Sequence, residues 1–218
     1  MNNSNKTVLI TGISSGIGLA LTKKFLNENY SVIGTTRNGI IQNFSHKNLQ
    51  VVALDLTNNA NFKQVEDKVI TLTKGIDLLI NNAGTAPDVF AGIPDINSFN
   101  ETIATNVTGT VFFTEALLPY LKNDGQVLFI SSAMGLPDNA APNGTAYRLS
   151  KAAINMYAAI LATRLNSQNI KVTPVHPGWV QTKLGGSNAP YTPNEAAENI
   201  YNGISLTKSG KFWDATVM

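Results

Sequence analysis

Tyr147 and Lys151 are the residues whose types and spacing most directly suggest chemistry in this chain. They open a run over residues 147–162 that mixes small and apolar residues at helical period. Positions four apart lie one above the other on a helix, so the phenol and the ammonium are expected to share a face. A cation beside a phenol favours the phenolate, and the pair is expected to bring Tyr147 below its ordinary value of about 10. A tyrosine tuned in this way can hand a proton to a developing alkoxide near neutral pH. The spacing by itself is equally that of a solvated surface pair. The elements that would have to position the pair decide between these readings.

Those elements alternate regularly. Residues 6–11 form the β-branched, apolar run of a buried parallel strand. They lead into Thr11-Gly12-Ile13-Ser14-Ser15-Gly16-Ile17-Gly18 and an amphipathic helix reaching about residue 28. Strand, glycine-rich turn and helix together make an anion site, because backbone N–H groups and the helix dipole face the turn and missing Cβ atoms admit a pyrophosphate. The spacing Gly-x-x-x-Gly-x-Gly is neither G-x-G-x-x-G nor a Walker loop, and an ordinary tight turn is the competing reading. The second strand, residues 30–36, runs into Arg37 with no carboxylate at its end. In a dinucleotide fold an arginine there accommodates a 2′-phosphate, whereas an acid would bind a free 2′-hydroxyl. That favours NADP(H) over NAD(H), the alternative being a loop cation that touches nothing.

Further strands are expected at residues 49–54, 76–80, 126–130 and 170–175, with a short edge strand at 211–214. Helices are expected after Asn58 or Asn59, over about 99–121, after Tyr147 and over 194–206, the last with Pro193 and Glu195 as start signals. The alternation predicts an α/β fold: one Rossmann-type domain over residues 1–218, a doubly wound parallel sheet of about seven strands with helices on both faces. Thr11–Gly18, Arg37, Asp55 with Leu56, and Asn82-Ala83-Gly84 all fall at carboxyl ends of strands, where such sheets bind ligands. Asn106 falls inside a helix, where asparagine is unfavourable, and with Gly109 nearby it predicts a local distortion.

Composition narrows the class. With 218 residues, 43% hydrophobic and 14% charged, the chain can build a sizeable core and is not disordered in character. A net charge of +2 offers no case for nucleic acid or an anionic membrane as partner. There are no cysteines, which excludes disulfides and thiol catalysis and agrees with a cytoplasmic setting. The polar N-terminus argues against a signal peptide, and no apolar run approaches the roughly 18 residues of a membrane span. His46 and His176 lack ligand-spaced partners, so no metal centre is expected.

Thr11-Gly12-x-x-x-Gly16-x-Gly18, Asn81-Asn82-Ala83-Gly84, Asn106, Ser132, Tyr147-x-x-x-Lys151 and Pro177-Gly178 stand in an order that resembles the short-chain dehydrogenase/reductase family over nearly the whole chain. The wording around the motifs is similar to C-factor-like and sniffer-like carbonyl reductases. The resemblance implies an NAD(P)-dependent oxidoreductase of carbonyl or secondary alcohol substrates, with Tyr147 as general acid or base. It implies that Lys151 lowers the Tyr147 pKa and holds the nicotinamide ribose, that Ser132 rather than Ser131 bonds the substrate oxygen, and that Asn106 holds a relay water. It further implies cofactor contacts from Gly12, Ser14, Ser15, Gly16, Ile17, Gly18, Arg37, Asp55, Leu56, Asn82, Ala83, Gly84, Pro177, Gly178, Val180 and Thr182, and a homodimer or homotetramer. Phe90, Met134, Leu136, Trp179 and Leu184 are candidate pocket residues, with Trp179 equally able to serve packing alone.

Three departures from the family pattern carry expectations. Ser132 and Tyr147 are fifteen apart, so residues 135–144 should absorb extra length beside the substrate. Residues 183–190 are rich in Gly, Ser and Asn, which predicts a small, mobile lid. The chain ends at Met218, soon after the last strand, which leaves two readings: an early natural end or a more open site. The alternative from another class is a nucleotide-binding signalling or regulatory protein with little turnover, and intact Asn106, Ser132, Tyr147 and Lys151 weigh against it. An extended-type epimerase would need a substrate domain that this length does not allow.

Overall fold

A computed structural model of the chain describes residues 6–217; the N-terminal residues 1–5, read above as arguing against a signal peptide, and Met218 lie outside them. Seven strands form one sheet: β1 (Thr7–Ile10), β2 (Ser31–Thr36), β3 (Leu49–Ala53), β4 (Ile76–Asn81), β5 (Leu121–Ile130), β6 (Lys171–His176) and β7 (Trp213–Asp214). The order is β3-β2-β1-β4-β5-β6-β7 and every pair is parallel. This is the doubly wound Rossmann-type arrangement. The chain builds outward from β1 to β3, then returns to lay β4 on the other side of β1. That reversal opens a crevice beyond the carboxyl ends of β1 and β4.

Period-two alternation divides the strand residues between two apolar layers. Leu9, Leu79, Val127 and Phe129 face α2 (Phe62–Leu72), α4 (Thr110–Leu117) and α5 (Thr145–Arg164) through residues such as Val69, Phe113 and Leu161. Val8, Ile10, Ile80 and Leu128 face α1 (Gly16–Asn27) and α6 (Pro193–Gly203) through Leu21, Phe25 and Ile200. The start of α6 is fixed by a capping box, with Glu195 N–H donating to Thr192 Oγ1 at 3.2 Å and Thr192 N–H donating to Glu195 Oε2 at 2.7 Å.

The helix expected over residues 99–121 is subdivided. It begins earlier, as α3 (Ile96–Ile103), because Asp95 caps it by accepting from Ser98 N–H at 2.8 Å. A π-helical segment, Ala104–Gly109, then carries Asn106 and leads into α4. The Thr110 hydroxyl donates back five residues to the Thr105 carbonyl at 3.1 Å, which helps hold the wider turn. The helix yields at Leu117 to a single 3₁₀ turn containing Pro119, which cannot donate within a helix. β5 therefore starts at Leu121 and makes an excursion through Asp124 (φ 62°) and Gly125 before rejoining its ladder at Gln126.

Gly109 sets the spacing between the π segment and the connection after β3. A Cβ built there would lie 2.1 Å from the Leu56 carbonyl oxygen. Gly109→Ala is expected to cost at least about 3 kcal/mol of stability, because backbone rather than a side-chain tip would have to yield. Urea unfolding checks this, and an unchanged midpoint would contradict the close approach.

Candidate active site

The site is assembled at the carboxyl ends of β1, β2, β4, β5 and β6, and side chain-to-backbone hydrogen bonds fix it. At the end of β1 the Thr11 hydroxyl accepts the N–H groups of Asn82 and Ala83, both at 3.0 Å. The Asn82 carboxamide donates in return to the carbonyls of Thr11 and Gly12 at 2.9 and 3.0 Å. Gly12 adopts φ 72°, and a Cβ there would lie 2.8 Å from Ala83 Cα; a Cβ on Gly18 would lie 2.2 Å from the Gly12 carbonyl oxygen. Asn82 is thus committed to shaping the glycine-rich loop, and Gly12, Ala83 and Gly18 pack against one another.

The loop's outer rim stays open. Ser14 and Ser15 are exposed, Ile17 packs onto the sheet, and the first turn of α1 has neither a side-chain cap nor an acidic residue. Its N–H groups are therefore available to an anion. A Cβ on Gly16 would come within 3.1 Å of Thr182 Cγ2, so the loop and the segment after β6 face each other across a gap that only glycine leaves free. These features fit a dinucleotide pyrophosphate.

At the sheet's other margin, Arg37 is exposed and lines a cavity of about 230 Å³ with Leu54, Asp55, Asn61, Gln64 and Lys68. The Asp55 carboxylate accepts the Thr57 N–H and hydroxyl at 2.9 and 2.7 Å, which holds it below the ordinary carboxylate range, and the Arg37 charge adds to this. Lys68 is a second cation in this cavity that strand-end reasoning did not reach, because it lies on α2. The side chain of Leu56, also expected at the cofactor, packs in the core beneath α2 and α4, which leaves its backbone for that contact.

The four residues singled out for chemistry converge. Ser131 is spent on α5, its hydroxyl donating to Asn155 Oδ1 at 2.6 Å. Ser132 lies beside Tyr147, where it favours the phenolate. The Ser132 oxygen also accepts the Met134 N–H at 3.1 Å. Gly135 is pressed so closely on α5 that a Cβ would lie 2.7 Å from the Lys151 carbonyl carbon, which sets the Ser132 turn against the helix carrying Tyr147. From the π segment, the Asn106 carboxamide accepts Thr85 N–H and donates to the Thr85 carbonyl, both at 2.8 Å, and donates to Ser150 Oγ at 3.1 Å. Gly84 lies between Asn106 Oδ1 and Lys151 Nζ, which a Cβ there would meet at 3.2 and 3.9 Å.

Burial reverses the expected electrostatics. Tyr147 is only 8% exposed, and burial pushes its phenol up to about 12, with the Ser132 hydrogen bond favouring the phenolate but not prevailing. Lys151 does share the helical face, its Nζ 5.5 Å from the centre of the Tyr147 ring, but it donates to the Ile130 carbonyl at 2.7 Å. Burial brings its ammonium down to about 8, so the cation meant to stabilise a phenolate is itself costly to charge.

Beyond β6, Pro177 is buried and Gly178 turns at φ 93°, where a Cβ would press on Tyr191 and Thr216 at 2.8 Å. The segment expected to be mobile is tied at its ends. Val180 bridges to Tyr191, Gln181 N–H donates to the Tyr191 carbonyl at 2.8 Å, Gly185 N–H to Thr182 Oγ1 at 3.1 Å, and the Trp179 indole to the Gly185 carbonyl at 2.7 Å. Hydrogen bonding outweighed composition here: the Gly, Ser and Asn residues form turns. Trp179 is a strap of this lid and, at 55% exposure, a surface ring; Phe90 at 78% is still more exposed. Among the described residues no group of three or more His, Cys, Asp or Glu could hold a metal, and no helix is long and apolar enough to cross a membrane.

The comparisons agree with this geometry. A family model described as short chain dehydrogenase matches residues 6–191. An NADP-dependent 3-hydroxy acid dehydrogenase of Escherichia coli (strain K12) is 31% identical over 208 residues, covering 92% of this chain and 83% of its own. The carbonyl reductase Sniffer of D. melanogaster superposes with a TM-score of 0.87 at 27% identity, over 97% of this chain and 96% of that one. An NADPH-bound carbonyl reductase from chicken fatty liver gives a TM-score of 0.89 at 27% identity, over 96% and 91%. The chain belongs to the short-chain dehydrogenase family.

The buried lysine has a measurable signature. Its folded value of about 8 lies below the ordinary 10.5, so the folded state disfavours the charged form. The cost is fully present below about pH 8 and fades between 8 and 10.5, where the unfolded chain binds more protons. Relative to Lys151→Met, the wild-type protein should gain stability across that window, by roughly 3 kcal/mol at the upper limit. Parallel stability curves from denaturant unfolding at several pH values would contradict the buried charge.

Proposed function

We propose that this chain is an NADP(H)-dependent oxidoreductase that moves a hydride between the nicotinamide and a carbonyl or secondary alcohol. The observation that carries this reading is the placing of Tyr147 and Lys151 one turn apart on the same buried helix face, Lys151 Nζ 5.5 Å from the Tyr147 ring, with buried Ser132 beside Tyr147. The bound cofactor supplies the hydride chemistry. Gly12, Ser14, Ser15, Gly16, Ile17 and Gly18 would hold its pyrophosphate side. Asn82, Ala83 and Gly84 would border its middle, and Pro177, Gly178, Val180 and Thr182 its nicotinamide end. Arg37, with Lys68 beside it, would take a 2′-phosphate, and Asp55 would approach the adenine.

Tyr147 stays protonated at neutral pH when buried as it is here, which suits a general acid for carbonyl reduction. Ser132 is placed to donate to the same oxygen that takes the Tyr147 proton, adding a neutral donor where negative charge develops. Lys151, losing its proton near pH 8, can resupply Tyr147 without leaving the helix. Asn106 fixes the Thr85 backbone beside Gly84 and keeps one lone pair of Oδ1 for a relay water.

Exposed Phe112 on α4, and Leu149, Met156 and Ile160 along one face of α5, support a homodimer or homotetramer through these helices. The cysteine-free sequence suits the reducing cytoplasm, where we place the protein.

Tyr147→Phe is expected to lower kcat for carbonyl reduction by at least about 10³-fold while leaving NADPH affinity within a few-fold, and Ser132→Ala by about 10–100-fold. Steady-state kinetics on a carbonyl panel together with NADPH fluorescence titration test this; full activity in Tyr147→Phe would remove the mechanism. Arg37→Ala is expected to weaken NADPH binding by about tenfold or more and to leave NADH binding unchanged. Equal losses for both nucleotides would refute 2′-phosphate recognition.

A further inference from the structure

α5 carries Tyr147 in its first turn, yet nothing local caps it. Its N-cap residue is Gly144, at φ 65°, which has no side chain to accept an N–H. The missing acceptor arrives from far along the chain. Asp88, in the loop after β4, is 3% exposed, and its Oδ2 accepts the Ala146 N–H at 2.7 Å. The same loop is fastened to the helix start again where Gly144 N–H donates to the Ala91 carbonyl at 3.0 Å, and by the backbone of Val89 against Gly144, which a Cβ would meet at 3.1 Å. Its other end is gripped by Asn106 at Thr85.

We propose that Asp88 is a positioning residue for Tyr147: its carboxylate caps α5 from another loop and fixes the turn that aims the phenol at Ser132. Three observations carry the assignment. The carboxylate is buried, where a charge is costly unless something favours it, and what faces it is the open N-terminus of a twenty-residue helix, where an anion is favoured. The contacted N–H belongs to Ala146, directly before Tyr147. The second carboxylate oxygen, Oδ1, is buried without a partner, so the residue is retained for one directed bond rather than for general satisfaction of its polar atoms. An asparagine would supply an oxygen acceptor of the same reach; an alanine would leave the Ala146 N–H orphaned. The loop thereby links the end of β4, which borders the glycine-rich loop, to the aim of Tyr147.

This rests on Tyr147 acting as the proton donor, and the experiment separates the two claims. Asp88→Ala, Asp88→Asn and Tyr147→Phe are compared with the wild-type protein for kcat per NADPH-binding site, KM for the carbonyl, NADPH affinity, and hydrogen exchange of the amides at 146–149. In Asp88→Ala, exchange at those amides is expected to quicken by roughly tenfold or more. In the same variant kcat per binding site falls by about tenfold, with KM and NADPH affinity little changed. Asp88→Asn is expected to recover kcat to within a few-fold and most of the protection. A merely structural role would lower the number of NADPH-binding sites and leave kcat per site intact, and that result would overturn the proposal. So would an Asp88→Asn variant as impaired as Asp88→Ala, and this arm still decides if Asp88→Ala does not fold. If Tyr147→Phe is fully active while Asp88→Ala loses protection at 146–149, the Tyr147 mechanism fails and the capping stands.

Discussion

The carboxamide of Asn106 is the group on which the geometry of the site depends. It closes both backbone groups of Thr85 and reaches Ser150, so one side chain ties the loop after β4 to the helix that carries Tyr147 and Lys151. Ser150 passes the constraint on, its hydroxyl donating to the Tyr147 carbonyl at 2.7 Å. Each such bond contributes only about 1 kcal/mol net, but breaking one in a buried place leaves a polar group unsatisfied at about 1–3 kcal/mol. A regular α-helix through residues 104–109 would rotate Asn106 relative to α3, and the π turn is what brings the amide to Thr85. The local irregularity is sustained because tertiary hydrogen bonds over-determine it.

Burial sets the terms on which the neighbouring charges operate. Spacing four apart correctly put Tyr147 and Lys151 on one face, but the electrostatic conclusion drawn from it assumed a solvated cation. In the folded chain Lys151 is 7% exposed, its ammonium donates to the Ile130 carbonyl, and desolvation acts on both groups in the direction of neutrality. The pair therefore sets a neutral phenol beside a lysine that burial brings down to about 8.

Much of this was legible in the sequence, and the reason is periodicity. Parallel strands announce themselves as short apolar runs, glycines mark places where backbone must approach backbone, and Asn106 advertised a distorted helix by being a poor resident of a regular one. Glycine at 12, 18 and 109 has a steric reason that a reader of sequence can anticipate. What stayed hidden are bonds between a side chain and a distant backbone. The Thr11 hydroxyl serves residues 71 and 72 positions away, and Asp88 serves one 58 positions away. No period encodes such pairs, and threonine or aspartate in a loop looks like many others. The bonds that tie the ends of residues 183–190 were hidden for a related reason: Gly, Ser and Asn occur in bonded turns as well as in open loops, and the partners of Trp179, Gln181 and Thr182 carry no period.

The same logic explains how the Ser132–Tyr147 pair tolerates the extra residues between them. Closing a longer loop costs little, since the entropy grows only with the logarithm of its length. The cost that matters is positional, and it is contained at both ends. Gly135 locks the Ser132 side onto the backbone of Lys151, while Asp88 and the Ala91 carbonyl hold the start of α5. The intervening residues 137–142 are exposed and are gathered by Arg148, which donates to the Asn139 carbonyl at 2.6 Å, the Asn143 carbonyl at 2.7 Å and Asn143 Oδ1 at 3.0 Å. Arg148 sits on α5 beside Tyr147, so the loop is organised from the helix it leads into. Length and sequence in 137–142 can therefore vary without moving Ser132 and Tyr147.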